Sequence, residues 1–240
     1  MDIQGKVVIV TGASMGIGAA TARVFAEAGA KLVLAARSAE KLAALAASLP
    51  PAAEPLTVPT DMTDQAQVRA LIEAAIERFG RIDIVINNAG QAAVGAVAEI
   101  NPQLYRQIIE LNLFGPLYAI QAAVPQMRAQ GGGLIINISS QVSKMAIPGI
   151  GAYASTKYAL NGLSLTARNE LAADNIRVVL FHPGRTLTEF GNNALREHED
   201  AGPRPQNGQP LAEPDSAEAV AAKILEAAQT EPAEMGMTAA

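Results

Sequence analysis

The chain has 240 residues and a formal charge of -5, with half of its residues hydrophobic, only 4% aromatic, two histidines and no cysteine. That length suits one large α/β domain, and the missing cysteines exclude disulfides, thiolate nucleophiles and cysteine-held metals. An acidic, aromatic-poor chain offers neither the basic footprint nor the stacking platforms of a nucleic-acid binder. No metal centre is expected either, because His182 and His198 stand in no ligand-spaced cluster.

Along the chain, short apolar runs alternate with helical patterns. Lys6 to Thr11, Lys31 to Ala35, Leu56 to Val58, Ile82 to Ile86, Leu134 to Ile138 and Val178 to Phe181 read as strands, and they lack the polar alternation of a half-exposed sheet. Between them, helical spacing covers Gly16 to Ala28, Ala39 to Leu49, Asp64 to Phe79, Pro102 to Arg128, Tyr153 to Ala172 and Ser216 to Gln229. Thr63 and Asn101 are candidate caps, Gly131 to Gly133 ends the long helix, and Asp215 to Glu218 has the form of a capping box. Repeated strand-helix-strand units imply a doubly wound, Rossmann-type parallel sheet with helices on both faces, forming a single domain over 1–240. The Pro-, Gly- and Asn-rich stretch Ala201 to Pro214 reads as a surface loop, part of a candidate substrate lid over 186–214. No apolar run is long enough to span a bilayer and no leader is visible, so a cytoplasmic protein without a membrane partner is expected. The residues after Gln229 carry no clear signal.

Two constellations carry chemistry. Thr11-Gly12-Ala-Ser14-Met15-Gly16-Ile17-Gly18 follows the first strand and opens the first helix, where glycines let the backbone approach a pyrophosphate and the helix N-terminus supplies unpaired N–H groups. About twenty residues on, where a carboxylate would hold an NAD ribose, the chain reads Ala35-Ala36-Arg37-Ser38; Arg37 and Ser38 suit a 2′-phosphate instead, so NADP(H) is the preferred cofactor and NAD(H) a second choice. The other constellation is Tyr153-Ala-Ser-Thr-Lys157, whose spacing stacks a phenol and an ammonium on one helix face. A nearby cation lowers the phenol pKa, and such a tyrosine can exchange a proton with an alcohol or ketone.

Together with Asn87-Asn88-Ala89-Gly90, Asn112, Ser140 and Pro183-Gly184, these motifs resemble the single-domain branch of the short-chain dehydrogenase/reductase family from about Gly5 to Phe190. The resemblance implies a general acid/base in Tyr153, a ribose-binding and pKa-lowering cation in Lys157, a substrate-oxygen donor in Ser140, and in Asn112 a residue that helps place a water in a proton relay. It also implies adenine contact at Asp61 and Met62, a ribose-flanking backbone at Asn88, Ala89 and Gly90, and nicotinamide contact from Pro183, Gly184, Thr186 and Thr188. Gln91 to Val94, Gln141 to Ser143, Ile150, His182, Arg185 and Phe190 would line the substrate pocket. His182 reads first as a satisfied histidine at a strand end.

The implied activity is an NADP(H)-dependent interconversion of a secondary alcohol and a ketone, on a small-molecule substrate, by a homo-oligomer, either dimer or tetramer. The alternatives are a catalytically silent nucleotide-bound sensor and a lyase on the same scaffold. Three departures from the family stand out, one being Val179 where members usually have an asparagine. Met15 replaces the basic residue that many NADP-dependent members carry in the glycine loop, and the final apolar strand with its glycine pair is absent from the sequence pattern.

Overall fold

A computed structural model describes residues 1–196 and 213–237. Its centre is a parallel sheet of seven strands: β1 (Val7–Thr11), β2 (Lys31–Ala36), β3 (Leu56–Pro59), β4 (Ile84–Asn87), β5 (Gly133–Ile138), β6 (Ile176–His182) and β7 (Glu234–Gly236). The spatial order is β7-β6-β5-β4-β1-β2-β3. The chain therefore changes direction between β1 and β4, which opens a crevice at their carboxyl ends, where ligands bind in open α/β sheets.

Successive side chains on each strand enter different cores, which is why no strand shows polar alternation. Val8, Val10, Leu32 and Leu34 pack on one face with helices α1 (Gly16–Glu27), α2 (Ala39–Ser48) and α7 (Ala217–Thr230). Val7, Ile9, Val33 and Ala35 pack on the other with α3 (Gln65–Phe79), α5 (Gly115–Ala129) and α6 (Gly151–Leu171). The continuous helical run Pro102–Ala129 is long and apolar enough to cross a membrane by length and composition. In the fold its Ala119, Ala123 and Met127 are buried in the second core.

Several details differ from the sequence reading. The helix expected over 102–128 is broken into α4 (Pro102–Ile109) and α5 by a π-helical turn at Glu110–Phe114. Pro116 has no N–H to give the carbonyl four residues back, so the regular ladder cannot continue through it. Asn101 caps α4 as expected, accepting from Gln103 N at 2.8 Å. The cap of α3 is Asp64 and not Thr63: Asp64 accepts from Ala66 N and Gln67 N, whereas the Thr63 hydroxyl is turned to Asp61 at 2.8 Å. Ser216 caps α7, accepting from Ala219 N.

The final strand, missing from the sequence pattern, is present as β7, in register with β6 from Glu234 beside Leu180 to Gly236 beside His182. An edge strand of three residues is held by backbone hydrogen bonds, such as Leu180 N to Ala233 O at 3.0 Å, which leave little trace in side-chain pattern.

Candidate active site

The crevice floor is built by the β1 and β4 ends. Gly12 and Gly16 have φ of +66° and +54°, and a Cβ on Gly12 would lie 2.8 Å from Ala89 Cα. A Cβ on Gly18 would lie 2.2 Å from Gly12 O, so the loop closes only with glycine there. Thr11 pins the two loops together: its hydroxyl accepts from Asn88 N at 3.0 Å and Ala89 N at 3.1 Å, while Asn88 Nδ2 donates to Thr11 O at 2.9 Å. No side chain caps α1 and no acidic residue occupies its first turn. Its amino-terminal N–H groups and dipole thus lie at the crevice without an anionic cap among the described residues, and this cradle fits a dinucleotide pyrophosphate.

The predicted catalytic residues converge at the carboxyl end of β5. Ser140 caps the turn Gln141–Lys144, Tyr153 and Lys157 lie in the first turns of α6, and all three are buried. Burial pushes the Tyr153 phenol up to about 12, opposed by the neighbouring Ser140 hydroxyl, and it pushes Lys157 down to about 8. The lowered phenol implied by the spacing is therefore not what the protein scaffold alone produces. Desolvation outweighs the effect of Ser140, and the Lys157 ammonium, with Nζ 6.0 Å from the ring centroid, donates instead to Ile138 O at 2.8 Å. Phe190 lies against Tyr153, with ring centroids 5.8 Å apart.

Asn112, fully buried in the π turn, has both amide protons engaged. Oδ1 accepts from Gln91 N at 2.9 Å, and Nδ2 donates to Gln91 O at 2.9 Å and to Thr156 Oγ1 at 3.1 Å. A Cβ on Gly90 would lie 3.1 Å from Asn112 Oδ1 and 3.7 Å from Lys157 Nζ, which shows how closely the three meet.

The family model for short chain dehydrogenases matches residues 6–199. The chain belongs to this family. An uncharacterized oxidoreductase of Methylorubrum extorquens is 40% identical over 194 residues, 80% of this chain and 77% of that protein. A Burkholderia phymatum short-chain dehydrogenase/reductase, solved in complex with NAD, superposes with a TM-score of 0.86 at 28% identity, covering 98% of this chain and 90% of the other. An alcohol dehydrogenase from Thermococcus sibiricus, complexed with 5-hydroxy-NADP, gives 0.81 at 29% identity, covering 98% and 96%. The protein is an oxidoreductase, a dehydrogenase/reductase on a Rossmann-type sheet.

Around the crevice of this dehydrogenase, Arg37 is exposed just beyond β2, and the Ser38 hydroxyl caps α2 by accepting from Lys41 N at 3.3 Å. Ser14 and Met15 form the partly exposed rim of the glycine loop, and Ile17 packs towards the core. Asp61 accepts from Thr63 N, and Met62 buries its side chain in the second core. Pro183 O accepts from Gln141 N at 3.0 Å, and the Thr186 hydroxyl donates to Gly184 O. Thr188 reaches the glycine loop, 3.2 Å from where a Gly16 Cβ would stand.

Of the expected lid, Leu195–Arg196 pairs with Ala93–Val94, Asn193 O accepts from Gln91 Nε2 at 2.8 Å, and Asn193 Nδ2 touches Met15 Sδ. Residues 197–212, including most of the stretch Ala201 to Pro214, lie outside the described residues.

His182 is a satisfied strand-end histidine, held by Glu234 and the Ser140 turn. Sequence reasoning missed the supporting residues Thr156, Asn161 and Glu234. Thr156 sits inside the Tyr-x-x-x-Lys motif, a signal that could have marked it; Glu234 had none.

Proposed function

We propose that this dehydrogenase interconverts a secondary alcohol and a ketone with NADP(H), Tyr153 acting as general acid/base. The observation that carries the reading is the convergence of buried Ser140, Tyr153 and Lys157 at the sheet end where the glycine cradle opens. With its pKa pushed up to about 12, the Tyr153 phenol is protonated at neutral pH and ready to donate to a carbonyl oxygen. Ser140 donates a hydrogen bond to that same oxygen as charge develops on it. Bound in the cradle, a nicotinamide dinucleotide supplies or accepts the hydride.

Asn112 commits both amide protons inside the fold, so its side chain donates to no relay water. What it offers is its backbone carbonyl, which Pro116 leaves without an i to i−4 donor. Lys157 holds the ribose hydroxyls, and its remaining cationic charge favours the phenolate whenever Tyr153 gives up its proton. Arg37, exposed beyond β2 with no carboxylate from Ala35 to Ser38, receives the 2′-phosphate. The two structural neighbours support a nicotinamide dinucleotide in general, one being complexed with NAD and one with 5-hydroxy-NADP.

Incubating the pure protein with NADPH and a panel of neutral ketones, and following loss of NADPH absorbance, tests the reading. Turnover with at least one ketone is expected. Tight NADPH binding with no turnover across ketones and alcohols would favour the sensor alternative.

A further inference from the structure

Buried His182 is used by none of the steps above, yet it joins the catalytic turn to the C-terminal edge strand. Its Nε2 lies 3.0 Å from Glu234 Oε2 on β7, and its Nδ1 lies 3.3 Å from both Ser143 Oγ and Ser140 O. A carboxylate only accepts, so the imidazole proton resides on Nε2 and Nδ1 is left as an acceptor. Ser140 O cannot donate to it. The single Ser143 hydroxyl proton could go to Nδ1 at 3.3 Å or to Ser140 O at 2.6 Å, and the shorter contact gives it to the carbonyl, while Ser143 Oγ accepts from Asn161 Nδ2 at 2.9 Å. Asn161 accepts in turn from Ser139 Oγ at 2.6 Å, so Ser139 to Ser143 form one hydrogen-bonded unit.

We propose that Glu234 and His182 are positioning residues for Ser140: the carboxylate fixes the His182 tautomer, and that tautomer withholds an Nδ1 proton from the Ser140 carbonyl, which Ser143 holds. Without Glu234 the imidazole proton is free to move to Nδ1, which then donates to Ser140 O alongside Ser143 and draws the carbonyl towards the ring. The carbonyl shifts, and with it the hydroxyl that meets the substrate oxygen. The family match ends at residue 199, so this control of the active site lies in a part of the chain that it does not reach. Lys144 pairs with Glu234 at 2.9 Å and is the charged neighbour of this carboxylate. The inference rests on the role of Ser140 proposed above.

The test compares Glu234→Ala, Glu234→Gln and Lys144→Ala. Glu234→Ala is expected to lower kcat by about tenfold, as loss of an orienting partner does, with NADPH Kd and Tm close to wild type. Glu234→Gln still accepts from Nε2 and should keep most of the wild-type kcat, and Lys144→Ala should keep it too. NMR of labelled imidazoles should show Nε2–H for His182 in the wild type and in Glu234→Gln, and a different tautomer in Glu234→Ala. Wild-type kcat in Glu234→Ala would overturn the proposal, as would an equal loss in Glu234→Ala and Glu234→Gln accompanied by weaker NADPH binding. Wild-type turnover in Tyr153→Phe would instead remove the catalytic reading on which the proposal stands.

Discussion

Replacing Lys157 with Met should make the cofactor-free protein more stable while destroying its turnover. The ammonium is 4% exposed, and burial lowers its pKa from 10.5 to about 8. At about 1.36 kcal/mol per unit, that difference costs the fold roughly 3 kcal/mol wherever both folded and unfolded lysines are charged, that is, below about pH 8. Met matches the stem in size and carries no charge, but it loses the hydrogen bond to Ile138 O, worth about 1.5 kcal/mol or more for a charged donor. The net gain is on the order of 1 kcal/mol at neutral pH. For a domain of this size that raises Tm by about 2 to 4 °C.

The sign with pH follows from proton counts. Between about pH 8 and 10.5 the unfolded lysine holds a proton that the native one has released, so wild-type stability rises with pH and the advantage of Met disappears. Thermal melts of both proteins across that range, with no nucleotide added, make the measurement. NADPH should then stabilise the wild type much more than Lys157→Met, and the variant should be nearly inactive. A variant that melts below wild type at pH 7 and stays below it at pH 10.5 would show that the buried cation is not a net cost.

The other predictions concern the same crevice. Tyr153→Phe keeps the ring and should leave NADPH affinity unchanged in a fluorescence titration while kcat falls by at least ~10²; turnover near the wild-type rate would place the acid/base elsewhere. The wild type should prefer NADPH over NADH by at least about tenfold, a charge-assisted grip at Arg37 contributing roughly 1.5 to 3 kcal/mol. Arg37→Ala should raise KM for NADPH and leave that for NADH nearly unaltered, and a wild type that prefers NADH would refute the assignment. Gly18→Ala places a Cβ 2.2 Å from Gly12 O and 2.5 Å from Asn88 Nδ2, so calorimetry should find nucleotide binding lost; retained affinity would mean that the loop adapts to a side chain there.

Six strands and the alternating helices were legible because their signal is local: runs such as Val7 to Val10 feed two cores in alternation and so stay apolar throughout. The glycine loop and the Tyr153–Lys157 pair were legible for a similar reason, since φ above zero and helical stacking constrain residue type within a few positions. What the sequence could not decide is what comes from far along the chain. The edge strand β7 is held by backbone groups of β6, and Glu234 meets His182 across 52 residues. The protonation of the site is also decided by packing. Neighbouring charge alone predicts a lowered phenol pKa, but the fold buries Tyr153 and Lys157 together, and desolvation moves the phenol up and the ammonium down. Residue identity determines which groups titrate; how much water reaches them is a property of the assembled tertiary structure.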